Sequence, residues 1–161
     1  MDLTFSVDGY ELKKTNAKEY VLECTKESIL RSVDEREAEN SEYWMDILLS
    51  FVSVALEDAE KNEVFVLKRS DDVRAGMLWM SVSKDQYTCD DTGYIMGIYV
   101  EKTFRGKGLG KALLKAAEEW CRVKGLLSLT LNGGARNPAI RVYEEAGFRE
   151  RSVVMRKDLR Q

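Results

Sequence analysis

The chain has no histidine among its 161 residues. That absence removes the commonest general base and metal ligand, and it excludes any histidine-based catalytic triad. Proline occurs once, so no proline-rich linker divides the chain, and no internal repeat or low-complexity tract is present. The three cysteines, Cys24, Cys89 and Cys121, are odd in number and widely spaced. They form neither a disulfide framework nor a metal-ligand pair, and they read as reduced thiols of a cytoplasmic protein. No metal site is expected. No run of about eighteen apolar residues exists, which excludes a membrane-spanning helix. The first residues carry Asp2 and Asp8 with no apolar core, unlike a secretory leader.

What remains is a length and composition suited to one domain, residues 1–161, with 44% apolar and 33% charged residues. The net charge of −3 conceals an asymmetry. Residues 1–60 hold 6 basic and 15 acidic side chains, a balance of −9, whereas residues 101–161 hold 14 and 7, a balance of +7. A basic C-terminal third suits a polyanionic ligand, and an acidic N-terminal part suits a cationic, amine-bearing one. Nucleic acid would suit the basic third too, but neither a recognition motif nor an aromatic-interleaved basic stripe accompanies it.

The most informative stretch is Tyr94 to Gly125. Tyr94–Val100 reads as a short apolar strand, and Leu109, Ala112, Leu113, Ala116, Ala117, Trp120 and Val123 recur at helical spacing until Gly125 ends the pattern. Between them lies Arg105-Gly106-Lys107-Gly108-Leu109-Gly110. This strand-to-helix turn lacks a Ser, Thr, Asp or Asn cap, which leaves the first backbone N–H groups of the helix free for an anion. Arg105, Lys107 and Lys111 add positive charge. The turn is neither a Walker loop, since no Ser or Thr follows Gly110, nor a dinucleotide fingerprint.

Upstream, Tyr10–Lys14 reads as a first strand. Two helices follow, over about 16–33 from a capping box at Asn16 and Glu19, and over about 41–60 with Trp44, Ile47, Leu48, Phe51, Ala55, Leu56 and Ala59 on one face. The run from Asp34 to Glu39 is an exposed helix end or a connector. Strands are expected over 63–68 and 74–82, with a hairpin loop over 84–92. Beyond the central helix come a strand over 126–131, a turn at Gly133-Gly134, a helix over 137–146 and a closing strand over 148–157. The alternation argues an α/β fold built on a mixed sheet.

Arg-x-x-Gly-x-Gly after a strand, followed by Asn137-Pro-Ala-Ile-Arg-Val-Tyr143-Glu-Glu-Ala-Gly147-Phe148 and Val154–Leu159, resembles the GCN5-related N-acetyltransferase superfamily. The resemblance is specific over 92–159 and topological over 1–91. It implies a mostly antiparallel sheet of six to seven strands flanked by about four helices and splayed between strands 4 and 5. It also implies acetyl-CoA as acetyl donor. Backbone groups of Ile98, Tyr99 and Val100 would pair with the pantetheine arm, one N–H, that of Val100, polarising the thioester carbonyl. The N–H groups of Arg105, Gly106, Lys107, Gly108, Leu109, Gly110 and Lys111 would take the pyrophosphate. Tyr143 aligns with the family's general acid toward the thiolate, and Asn137, or its neighbour Arg136, with the asparagine that contacts the cofactor.

The acceptor so implied is a primary amine on a small molecule or a protein, bordered by the two N-terminal helices, and homodimers are common in the family. Acetyltransferases acting on ribosomal-protein N-termini carry a glutamate where this chain has Asn132, so the general base is sought among Glu27, Asp90, Asp91 and Glu101 or in a water chain to bulk solvent. The alternative is a non-catalytic acyl-CoA-binding sensor or adaptor, against which Tyr143 argues. Within enzymes, a longer acyl donor would be admitted or refused by the mouth around Met96.

Overall fold

The computed structural model describes residues 3–5 and 7–160. Met1, Asp2, Ser6 and Gln161, and with them part of the leader argument, lie outside the described residues. One five-stranded sheet has the order β1-β2-β3-β4-β5, formed by β1 (Tyr10–Lys14), β2 (Asn62–Arg69), β3 (Arg74–Lys84), β4 (Asp91–Val100) and β5 (Leu129–Leu131). The first four strands are antiparallel neighbours, and β5 joins β4 in parallel. A parallel neighbour requires a crossover, and α4 (Leu109–Val123) supplies it.

Each sheet face has its own apolar cluster. Leu67, Leu78, Met80 and Ile95 pack against Leu109, Leu113, Ala117 and Trp120 of α4. On the opposite face Val66, Met77, Trp79 and Tyr99 meet Tyr20, Val21 and Cys24 of α1 (Lys18–Leu30), with Val52, Ala55 and Leu56 of α3 (Ser41–Glu57) beside them. Alternate residues of one strand thus serve opposite faces, as the period of two requires. No helix among the described residues is long and apolar enough to cross a membrane.

Several elements depart from the sequence expectation. Among the described residues the sheet has five strands rather than six or seven, and the expected closing strand over 148–157 is absent: residues 149–160 are exposed and unladdered. Ser152-Val-Val-Met155 has no alternation to select a buried face, and Val153, Val154 and Met155 face solvent. Partly exposed ion pairs reach this segment instead, Arg151 to Asp85 at 3.0 Å and Arg156 to Glu37 at 2.8 Å. The fifth strand shrinks to three residues: Leu126 is taken into the end of α4, Leu127 bends outward into solvent, and the strand begins only at Leu129. At that end of α4 the N–H groups of Leu126 and Gly125 donate to the carbonyls of Cys121 and Arg122, a Schellman closure.

The Asp34–Glu39 run forms a fifth helix, α2 (Glu35–Glu39), through a capping box between Asp34 and Glu37. The box expected at Asn16 and Glu19 is not made; α1 starts after Ala17 with no side-chain cap. On α3, Phe51 is 70% exposed, along with Tyr43, Ile47 and Val54, whereas Met45 is buried. Glu42, Asp46, Ser50, Ser53 and Glu57 form one narrow polar stripe, and apolar residues cover the rest of the circumference, an arc too wide for the sequence to select the inward side within it.

Gly76 shows how closely β3 and β4 approach. A Cβ there would collide with the Tyr99 carbonyl oxygen, a backbone atom with no freedom to yield. Gly76→Ala is expected to destabilise the fold by about 1–3 kcal/mol, read as a lower urea midpoint. Burial also pushes the Cys24 thiol up to about 12 and the Cys121 thiol up to about 11, whereas Cys89 is exposed. Native protein should therefore titrate one thiol rapidly with an aromatic disulfide reagent, and Cys89→Ala should abolish that fast phase.

Candidate active site

The site begins where two strands part. Pairing between β4 and β5 covers only Gly93–Ile95 with Leu129–Leu131, and β4 then runs five residues further to Val100 with no neighbour on that side. An irregularity marks the parting: Trp79 pairs with Gly97 and Met80 with Ile95, so Met96 is an extra, bulged residue. Sequence reasoning named Met96 only as part of a mouth and could not foresee the bulge, which depends on cross-strand register.

Hydrogen-bond direction alternates along an antiparallel ladder. The Glu101 N–H donates to the Ala75 carbonyl at 2.8 Å, toward β3. Tyr99 therefore also turns its backbone groups toward β3, while Ile98 and Val100 turn theirs into the gap. The Val100 carbonyl accepts from Arg105 Nε at 2.9 Å, consistent with that orientation. Of the three expected pantetheine-pairing residues, Tyr99 thus presents no free backbone group to the gap.

Beyond Val100 a 3-10 turn, Lys102–Phe104, leads into the glycine-rich loop. Gly108 is the N-terminal cap of α4 at φ +78°, a left-handed conformation that suits glycine, and no side chain caps the helix. Cβ positions built at Gly106, Gly108 and Gly110 meet nothing within 4 Å, so the space over the free N–H groups is open. The cations around this cradle have other engagements. Arg105 clamps the loop onto Val100, with its guanidinium 5.6 Å from the Tyr99 ring; Lys107 lies 5.5 Å from the Phe104 ring; Lys111 pairs with Glu145 of α5 (Ile140–Glu145) at 2.8 Å. The anion-binding capacity of the loop accordingly rests first on backbone dipoles.

Tyr143 sits on α5, 9% exposed, with its ring edge-on to Phe148 at 6.2 Å. The N–H of Phe148 donates to the Tyr143 carbonyl at 3.0 Å and that of Gly147 to the Glu144 carbonyl, so Tyr143 and Phe148 are the paired ends of a Schellman motif. The Tyr…Gly-Phe spacing is therefore also a capping signature that fixes the tyrosine in place. Burial raises the Tyr143 pKa, with the nearby Arg31 charge pulling it down. Asn137 Oδ1 accepts from the Ala139 N–H at 2.9 Å and shapes the entry to α5; Arg136 is exposed beside it.

The four carboxylates considered as bases separate into two groups. Asp90 and Asp91 lie at the far end of β4, where Asp91 pairs with Lys84 at 2.7 Å. Five residues of strand separate Asp91 from Met96, about 16 Å. Glu101 accepts a 2.8 Å hydrogen bond from the Tyr20 hydroxyl, and Glu27 and Glu101 together raise the Tyr99 pKa, secondary to its burial. Among the described residues no three His, Cys, Asp or Glu side chains converge to hold a metal ion.

Comparison with known proteins agrees with this geometry. An uncharacterized N-acetyltransferase of Bacillus subtilis is 32% identical over 99 residues, 61% of this chain and 62% of its own length. Glucosamine 6-phosphate N-acetyltransferase of Trypanosoma brucei brucei is 37% identical over 67 residues, 42% of this chain and 44% of its own. The matches thus span less than two thirds of these curated relatives. A putative acetyl transferase from Pyrococcus furiosus superposes with a TM-score of 0.77 at 26% identity, over 93% of this chain and 99% of that one. The profile of the acetyltransferase (GNAT) family matches residues 23–148. The chain, with its parted strands and uncapped helix start, belongs to that family.

Proposed function

We propose that this chain is an acetyl-CoA-dependent N-acetyltransferase that passes an acetyl group to a primary amine of a small molecule or a protein. The observation that carries the reading is the five-residue unpaired edge of β4 running into an uncapped, open helix N-terminus. The edge offers the groups of Ile98 and Val100 to an amide-bearing arm, as an added strand would. The N–H groups from Gly106 to Lys111 would receive the pyrophosphate, whereas that of Arg105, expected to join them, donates to the Lys102 carbonyl at 3.4 Å and closes the 3-10 turn. An acetyl thioester so held lies along the gap, and a backbone N–H of the edge polarises its carbonyl. The amine nitrogen forms the new C–N bond as the C–S bond breaks, and the thiolate takes a proton from the Tyr143 hydroxyl.

The amine proton leaves by a water chain, with Glu27 and Glu101 the only carboxylates of the four on the Tyr99 side. A raised Tyr143 pKa keeps the phenol protonated through neutral pH and well into the alkaline range, as a donor requires. The intact, reduced thiols and the lack of a candidate spanning helix among the described residues are compatible with a cytoplasmic setting.

Calorimetric titration with acetyl-CoA and coenzyme A tests the cradle: both should bind, ATP should not, and Gly108→Trp should abolish binding. Gly110→Ala is a finer probe, since its Cβ meets nothing in the free protein. It should leave free-protein stability equal or up to about 1 kcal/mol higher, yet weaken coenzyme A binding where the backbone is approached closely. Tyr143→Phe should lower kcat about 10²-fold with the KM for acetyl-CoA within two-fold. Unchanged turnover in that variant would overturn its role as the acid and favour the sensor or adaptor reading. Because its pKa is raised, Tyr143 should cause no fall of kcat between pH 7 and 9.

A further inference from the structure

Two adjoining clefts, of about 310 and 500 Å³, lie between the end of α1, the short helix α2, the β5–α5 loop and the exposed C-terminal segment. Their size suits a small molecule. The larger is lined by Arg36, Arg136, Arg156 and Arg160, with Asp34, Glu37 and Asp158 as the only carboxylates. The lining therefore has four guanidiniums against three carboxylates. Two of these carboxylates have local duties: Asp34 and Glu37 form the capping box of α2, and Glu37 also pairs with Arg156.

Asp158 differs. Its carboxylate is gripped by Arg36 Nη1 at 3.0 Å, by Arg160 Nε and Nη2 at 3.0 and 2.7 Å, and by the Arg160 backbone N–H at 3.0 Å. A planar oxyanion held by a guanidinium fork, a second guanidinium and a backbone N–H is the arrangement proteins use for phosphates and carboxylates of ligands. Here the chain supplies the oxyanion itself, on a segment without secondary structure that also carries Arg160, so Arg36 is the contact that reaches Asp158 from outside that segment. Arg136, on the same wall, makes neither an ion pair nor a hydrogen bond among the described residues.

The clefts adjoin the Tyr143 side of the strand gap. A Cβ at Gly133 would touch the Tyr143 ring, and one at Gly134 would press on Ser32, which lines the larger cleft. Arg31, one residue before Ser32, is close enough to act on the Tyr143 hydroxyl. We infer that this arginine cluster is an oxyanion subsite for the acceptor, occupied by Asp158 until a phosphate monoester or carboxylate on the incoming amine displaces it. The placement beside an acceptor rests on the acetyltransferase reading above; the anion seat itself does not.

The test uses the full chain saturated with coenzyme A, so that the glycine-rich loop is filled. Inorganic phosphate and, separately, acetate are titrated at constant ionic strength by following backbone amide resonances of residues 31–37 and 134–136. Saturable binding of either anion is expected, the tighter one identifying the preferred group. Asp158→Asn should tighten it about three-fold, and an Arg36→Gln/Arg156→Gln double variant, at two residues that line both clefts, should weaken it at least five-fold. Non-saturable shifts, or affinities equal across all three proteins, would overturn the subsite.

A kinetic arm compares ethanolamine with its phosphate ester. The ester should be favoured at least ten-fold in kcat/KM by the native chain and about equally used by the double variant, with the KM for acetyl-CoA unchanged. A preference that survives in the double variant would overturn the subsite. Saturable phosphate binding without turnover of any amine would instead reject the acetyltransferase reading and leave the anion seat standing.

Discussion

Three residue pairs, Gly93–Ile95 with Leu129–Leu131, make up the ladder between β4 and β5, reinforced by hydroxyl contacts of Thr92 with Ser128 and Thr130, and the candidate site exists because the ladder stops there. A strand edge in a protein interior normally has its donors and acceptors satisfied, because an unpaired buried amide costs free energy comparable to a lost hydrogen bond. Here the groups of Ile98 and Val100 face a gap, and the protein itself covers only one of them, the Val100 carbonyl, with Arg105. Everything around the gap keeps it open: the Met96 bulge redirects β4, and the early end of β5 removes its partner.

Two helix ends beside β5 are closed by the same motif. The Schellman closure at Gly125 ends α4 and takes Leu126 out of β5, which trims that strand at its N-terminal end, away from the gap that opens after Leu131. The second closure, at Gly147, draws Phe148 onto Tyr143 and fixes the tyrosine at the parted side of the sheet. At the opposite end of α4 there is no side-chain cap at all, so positive partial charge remains available. The contrast between closed C-terminal ends and an open N-terminal end is local backbone physics written in glycine positions.

That is why this part of the molecule could be read from the sequence. The strand–loop–helix unit, the end of its helix at Gly125 and the Tyr143–Phe148 spacing are local signals, each resolved within about ten residues of chain. What the sequence withheld depends on partners far along the chain. The bulge at Met96 is a property of register with β3. The outward turn of Phe51 depends on which part of a wide apolar arc on α3 meets α1 and the sheet. The missing closing strand has apolar residues enough, but Val153, Val154 and Met155 are consecutive rather than alternating. A strand needs one face to bury, and this segment defines none.

The charge asymmetry shows the same division between local and distant. A basic last third and an acidic first third suggested two separate ligands, yet the structure brings the two regions together. Arg156 reaches Glu37, and Asp158 is reached by Arg36, so charge from each end neutralises charge from the other. These pairs are exposed, and each is worth about 1 kcal/mol or less, too little to fix residues 149–160 by themselves. The segment is therefore held by contacts that an external ion of higher charge can match. Arg160 lies on the same segment as Asp158, so among the described residues Arg36 alone ties that carboxylate to the rest of the fold, one of three weak, salt-screened tethers with Arg156–Glu37 and Arg151–Asp85.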